Sequence, residues 1–318
     1  MNKATFGVAG NPERFYDEGK KHTHEAPAWL AANGLDAYEY QAGRGYQAGE
    51  ESLRKVGEEA KKHGILLSLH TPYFISLSSV EPEKRDNSVG YIKTGLRVAE
   101  QLGADTIVVH TGSAAKITRA QAMEYAADTL WKLLEDIGST NIRIGLETMG
   151  KLNQLGTLDE VLTLCKADPR LYPVVDFGHL NCRGRSESGV FDEAETTPAG
   201  GVFVTVDDYR AVFDKIANRL GDHYAKTLHC HFSKIEYTKQ GEKKHMNFAD
   251  EGYEPPFEPL MEAIAREGVA PRIISESAGH RADDAAAMKR CSPTDPLLSE
   301  RTPHENLSHQ RPEPQPAR

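Results

Sequence analysis

Histidines and carboxylates recur at the ends of short apolar runs along the chain. The short segments that carry them are LHTP (His70), VHTG (His110), LETMG (Glu147), VDFGHL (Asp176 and His179), LHCHFSK (His229 and His231) and SESAG (Glu276). Imidazoles and carboxylates are ligands that suit Zn²⁺, Mn²⁺ or Fe²⁺ better than Ca²⁺ or Mg²⁺. A carboxylate can also bridge two ions, and ions about 3.5–4 Å apart can clamp both the attacking and the leaving oxygen of a phosphate.

Two of these histidines, His229 and His231, are separated by one residue, Cys230. Successive side chains of a β-strand point to opposite faces, so both imidazoles are expected on one face and the thiol on the other. The four cysteines are scattered without a CxxC pair, so we do not expect a disulfide framework in a chain of this length.

The elements that must position these residues alternate in type. Strand-like runs are predicted at 5–10, 35–41, 65–71, 105–112, 142–149, 172–180, 226–233 and 272–279, with helical patterns between them. Eight such repeats predict an α/β protein with a (β/α)8 TIM barrel, in which the strand ends form one ring around one pocket. A doubly wound open sheet is the alternative, and the polar strand ends argue against it. The long connections 181–206 and 235–257 are candidate substrate-binding loops.

The 318 residues carry a net charge of −9, which argues against a general nucleic-acid-binding surface but leaves room for a local basic patch. The start of the chain lacks a secretory pattern, so a cytoplasmic location is expected. Residues 1–291 are predicted to form the single barrel domain. The proline-rich tail, 292–318, is predicted to be disordered.

These motifs resemble the endonuclease IV family, the family 2 apurinic/apyrimidinic endonucleases of the xylose-isomerase-like barrels. The resemblance follows the strand order over nearly all of residues 1–290. It is carried by LHTPYFISL, VVHTG, LETMGKLNQLGT, VVDFGHL, LHCHFSK and KKHMNFADEG.

Members of that family bind three zinc ions, and the resemblance implies three sets of ligands here. The first set is His70, His110 and Glu147; the second is Glu147, Asp176, His229 and Glu276; the third contains His179 and His245. It further implies that Tyr73 lies beside DNA, and that Glu147 or Glu276 orients the attacking water. Two or three Zn²⁺ ions are expected, with Mn²⁺ or Fe²⁺ as alternatives.

The chain departs from the family where the third set should contain an aspartate, because Lys243 and Lys244 precede His245. His231 is the candidate replacement. Three functions therefore stay open. They are metal-dependent hydrolysis of DNA at abasic sites, isomerisation or epimerisation of a small sugar through one metal ion, and a barrel that holds metal without turnover. The first is favoured, so we expect a hydrolase.

Overall fold

Ten strands are present in the computed structural model, which describes residues 3–188 and 201–292. In chain order they are β1 (Thr5–Ala9), β2 (Ala37–Gln41), β3 (Leu66–His70), β4 (Thr106–His110), β5 (Arg143–Glu147), β6 (Leu171–Asp176), β7 (His229–Phe232), β8 (Lys234–Thr238), β9 (Gly241–Met246) and β10 (Arg272–Ser275). Strands β1 to β7 and β10 are all parallel and close into a barrel, in which β10 lies between β7 and β1. The predicted (β/α)8 TIM barrel is confirmed.

Helices follow the barrel strands and cover the outside. They are α1 (Glu13–Asp17), α2 (Ala26–Ala32), α3 (Glu50–His63), α4 (Pro82–Leu102), α5 (Arg119–Ile137), α6 (Leu158–Cys165), α7 (Phe177–Ser188), α8 (Val206–Leu220), α9 (Asp222–Lys226), α10 (Glu258–Glu267) and α11 (Arg281–Cys291). Local sequence sets several of their ends. A threonine side chain caps the start of α5, α6 and α8, and a left-handed glycine ends α3, α4 and α10.

The barrel interior is polar near the strand ends, whereas the space between sheet and helices is apolar. Cys230 and Phe232 of β7 point outward into an apolar cluster with α8 and α10. His229 and His231 point inward, because their partner Glu39 lies on β2, which is not a neighbour of β7 in the sheet. The expected alternation along β7 is therefore confirmed.

Two segments differ from the predicted elements. The sixth strand was predicted to run to residue 180, but β6 ends at Asp176, and His179 lies in the first turn of α7. The Asp176 carboxylate accepts a 2.7 Å hydrogen bond from the His179 backbone N–H, which favours helix at this point. The predicted loop 235–257 also contains most of an antiparallel hairpin formed by β8 and β9.

The predicted tail lies outside the described residues from position 293 onward, as do residues 189–200 of the first long connection. Within the described ranges, none of the helices is long and apolar enough to cross a membrane.

Candidate metal centre

Three adjoining groups of imidazoles and carboxylates lie at the C-terminal end of the barrel, on strand ends, on α7 and on β9. The first group is His70, His110 and Glu147; the central group is Glu147, Asp176, His231 and Glu276; the third group is His179, Glu242 and His245. Within each group the candidate ligand atoms lie within 4.8 Å of one another. Each group contains the number and types of ligand that a divalent transition metal ion takes in proteins.

Glu147 at the end of β5 belongs to two of the groups. Its Oε2 atom lies 3.2 Å from His110 Nε2 and 3.4 Å from His70 Nε2. Its Oε1 atom lies 3.0 Å from His231 Nδ1. Because its two oxygens face different groups, this carboxylate has the arrangement needed to bridge two ions.

Sheet register decides which histidine of β7 joins the central group. His231 pairs with Asp176 of β6, whereas His229 pairs with Val174, two residues deeper in the barrel. Two residues of strand correspond to about 6.6 Å. The structure therefore places His231 beside Glu147 and Asp176, where the family resemblance had implied His229. His229 instead lies within reach of Glu39 and His231.

A β-bulge completes the third group. Ile235 pairs with His245 and Tyr237 pairs with Glu242, so Lys243 is an extra residue in β9. The bulge brings Glu242 and His245 to the same face although they are three residues apart. The Glu242 carboxylate lies 3.6 Å from His179 Nε2 and 3.7 Å from His245 Nε2. Glu242 therefore supplies the carboxylate of the third group, and His231 is not a member of that group.

Histidine rings of all three groups are held through one nitrogen, which leaves the other facing the candidate ligands. The pairs are His70 Nδ1 with the Thr71 carbonyl at 2.8 Å, His179 Nδ1 with the Thr148 carbonyl at 3.0 Å, His245 Nδ1 with the Ser233 hydroxyl at 2.8 Å and His231 Nε2 with the Glu39 carboxylate at 3.1 Å. Carbonyl and carboxylate oxygens can only accept a hydrogen bond, so the ring nitrogens of His70, His179 and His231 that face them carry a hydrogen. Such bonds orient metal-binding imidazoles in proteins.

Burial and mutual charge perturb the acidity of these groups. Burial opposes ionisation of Glu147, but the surrounding imidazoles dominate and hold its pKa well below the usual range. Burial also opposes charge on His70, yet the Glu147 carboxylate 3.4 Å away raises the pKa of this imidazole to about 9. Burial raises the pKa of Asp176. The site thus concentrates negative charge that cations, either protons or metal ions, must balance.

Three buried polar atoms at the site have no hydrogen-bond partner among the described residues. They are Glu147 Oε2, Asp176 Oδ2 and His179 Nε2, one from each group. A buried polar atom without a partner costs about 1–3 kcal/mol, so an unexplained one points to a ligand. A divalent cation in each group would satisfy all three atoms, and the residues present therefore fit metal ions.

A family model described as a xylose isomerase-like TIM barrel matches residues 27–292. The chain belongs to this family. An uncharacterised protein of Methanocaldococcus jannaschii is 28% identical over 89% of this chain and 95% of its own length. A protein of Acholeplasma laidlawii named probable endonuclease 4 is 29% identical over 61% of this chain and 63% of its own length. The expected resemblance to endonuclease IV is therefore confirmed at the level of family membership and sequence similarity.

Solved structures of this xylose isomerase-like fold include more than one activity. Endonuclease IV from Thermus thermophilus superposes with a TM-score of 0.59 at 19% identity, covering 91% of this chain and 97% of its own. The 3-keto-D-glucoside 4-epimerase of E. coli superposes with a TM-score of 0.62 at 14% identity, covering 91% and 98%. Such low identities support the fold alone.

The mouth of this xylose isomerase-like barrel carries exposed aromatic and cationic side chains. Tyr73 is 59% exposed, with its ring 5.5 Å from that of His70 and 5.7 Å from that of His110. Phe74 is also exposed and packs edge-on against Tyr91. Exposed cations on the loops that follow barrel strands are Arg44, Lys116 and Lys151. The acidic net charge therefore coexists with cations around the site.

Two carboxylates of the site were not predicted from the sequence, Glu39 and Glu242. Glu39 lies in the middle of β2, in AYEYQ, and is fully buried. A charged residue within a buried strand is unusual, and this feature of the sequence could have identified Glu39 as a site residue. Glu242 gave no such signal, because its orientation depends on the bulge at Lys243. The assignment of metal roles to individual residues stays a prediction.

Proposed function

We propose that the protein is a metal-dependent phosphodiester hydrolase that acts on DNA at abasic sites. The main support is the presence of three adjoining groups of candidate ligands, each with one buried polar atom that has no hydrogen-bond partner in the part of the chain that the structure describes. A site for several ions suits a reaction in which both the attacking and the leaving oxygen need stabilisation. Names of relatives, probable endonuclease 4 among them, support the same choice.

The metal ions and the side chains that hold them would have different roles in this reaction. Divalent ions, Zn²⁺ in particular, would neutralise the phosphodiester and lower the pKa of a water molecule. Glu147 is buried with both oxygens facing histidines, so its role is to hold ions. The Glu276 side chain is 15% exposed at the mouth, and its carboxylate can orient the attacking water and receive its proton.

The outer residues have properties suited to a DNA strand. Tyr73 presents an exposed ring directly beside the first group, where a base or the open abasic sugar can pack. Arg44, Lys116 and Lys151 are exposed and follow β2, β4 and β5. These cations can contact backbone phosphates on both sides of the cleaved bond.

A sugar isomerase or epimerase is the second candidate. The central group alone could hold one ion that polarises a carbonyl, with Glu147 and Glu276 as paired carboxylates for proton transfer. The net charge of −9 suits a small neutral sugar. The number of tightly bound ions distinguishes the two, because this reaction needs one ion and the hydrolase two or three.

The test is incubation of metal-loaded protein with a duplex that holds one abasic-site analogue, followed by separation of the strands on a denaturing gel. We expect incision at the analogue with Zn²⁺ or Mn²⁺, a large loss in His179→Ala, and full activity in His63→Ala, whose imidazole lies on the outer helix α3. An intact duplex should stay uncut. Absence of incision by fully loaded protein would exclude the proposal.

A further inference from the structure

A buried carboxylate lies below the central group, inside the barrel. Glu39 of β2 is fully buried and accepts hydrogen bonds from four side chains. The donors are Ser68 Oγ at 3.0 Å, Gln41 Nε2 at 3.2 Å, His229 Nε2 at 3.0 Å and His231 Nε2 at 3.1 Å. Four donors stabilise the ionised form of a carboxylate that water does not reach.

The ring of His231 lies between this carboxylate and the central group. Its Nε2 faces Glu39, while its Nδ1 lies 3.0 Å from Glu147 Oε1 and 3.6 Å from Glu276 Oε1. The ring is completely buried. One imidazole therefore contacts carboxylates through both nitrogens, and the two nitrogens have different tasks.

Hydrogen bonding assigns those tasks. A carboxylate can only accept, so Nε2 of His231 carries the hydrogen that Glu39 receives. In the neutral ring that a metal ion requires, Nδ1 then has the lone pair, and this lone pair faces Glu147 and Glu276. Two carboxylates and a lone pair that converge at these distances repel one another unless a cation lies between them.

We propose that Glu39 is a positioning residue that fixes the tautomer of His231, so that His231 binds the ion of the central group through Nδ1. This inference rests on the metal site of the proposed function but not on its substrate. His229, one pleat deeper, donates to the same carboxylate and thereby helps to hold it. Imidazoles in metal sites are oriented by carboxylates in this way, and loss of such a partner lowers metal affinity about 10–100-fold.

Glu39→Gln tests the proposal, because the carboxamide keeps the size of the side chain but offers one acceptor oxygen where two imidazoles donate. We expect one class of Zn²⁺ site to weaken about 10–100-fold in competition with a chromophoric chelator, with the other sites unchanged. The matched control is Ser68→Ala, which removes one donor to Glu39 and leaves both histidines their acceptor; it should change no affinity by more than about 3-fold.

Nitrogen NMR on the wild-type protein gives a result that does not depend on a variant folding. In protein labelled with ¹⁵N-histidine and loaded with ¹¹³Cd²⁺, we expect coupling of cadmium to Nδ1 of His231 and a protonated Nε2. The resonance is assigned as the one lost in His231→Gln. Coupling to Nε2, unchanged affinities in Glu39→Gln, or a fourth ion bound between Glu39 and His229 would each overturn the proposal.

These measurements detect binding and not cleavage. Protein that binds cadmium through Nδ1 yet leaves abasic DNA uncut would contradict the proposed function and support the role of Glu39. Incision of abasic DNA together with coupling of cadmium to Nε2 would support the proposed function and contradict the role of Glu39.

Discussion

Removal of bound metal ions should lower the melting temperature by an amount that reports how many groups were filled. An ion that binds only the folded protein at a free concentration of 1,000 times its Kd stabilises the fold by about 4.1 kcal/mol. For the roughly 280 residues that the structure describes, the unfolding entropy is about 0.6 kcal/mol/K. Each ion should therefore raise the melting temperature by about 7 °C, and three ions by about 20 °C.

Scanning calorimetry of chelator-treated protein, with and without excess Zn²⁺, measures this difference. His245→Ala removes a ligand of the third group only. The rise in melting temperature that zinc produces should therefore be smaller by about a third in this variant. His63→Ala, on α3, is the matched control and should keep the full gain. If zinc raises the melting temperature by only about 7 °C in both the wild-type protein and His245→Ala, one group alone is filled. That result would refute the three-group interpretation and favour the isomerase.

Three further results are expected. Deletion of Lys243 removes the bulge and turns Glu242 away from the third group, so bound zinc measured by elemental analysis should fall by one ion per chain, whereas Lys243→Ala should keep it. Gly156→Ala should destabilise the fold by about 1–3 kcal/mol in urea, because φ is +129° there and a Cβ would lie 2.6 Å from a backbone nitrogen. Burial opposes ionisation of Asp105, but its pair with Arg272 lowers the pKa of this carboxyl to about 2. The ionised form therefore stabilises the fold above about pH 4. Because Asp105 is 44% exposed, Asp105→Asn should cost on the order of 1 kcal/mol at pH 6, and this difference should disappear as the pH falls toward 2 in urea unfolding curves.

The positions of the strand ends could be predicted because a local pattern determines them. A short apolar run followed by a polar residue and a turn identifies a barrel strand and its C-terminal end together, as at His70 and His110. The choice between His229 and His231 could not be predicted in this way. Both point inward, and only the pairing of β7 with β6 places one of them level with Asp176.

The third group shows a different limit of sequence analysis. The alternation rule places Glu242 and His245 on opposite faces, since they are three residues apart. A bulge reverses that result, and bulges depend on how two strands pair rather than on the residues of one strand. A motif that requires an aspartate two residues before His245 therefore meets Lys243 there, although the carboxylate lies one position earlier, at Glu242.

The balance of charge at the site links the number of ions to the class of substrate. Five carboxylates lie there, those of Glu39, Glu147, Asp176, Glu242 and Glu276. With neutral imidazoles and a single divalent ion the site keeps a negative excess, which repels a phosphodiester and tolerates a neutral sugar. Three divalent ions outweigh the five carboxylates, so the same residues then attract a phosphodiester although the chain as a whole is acidic. Binding of abasic DNA should consequently require saturation of all three groups, and should fail in protein that holds one ion.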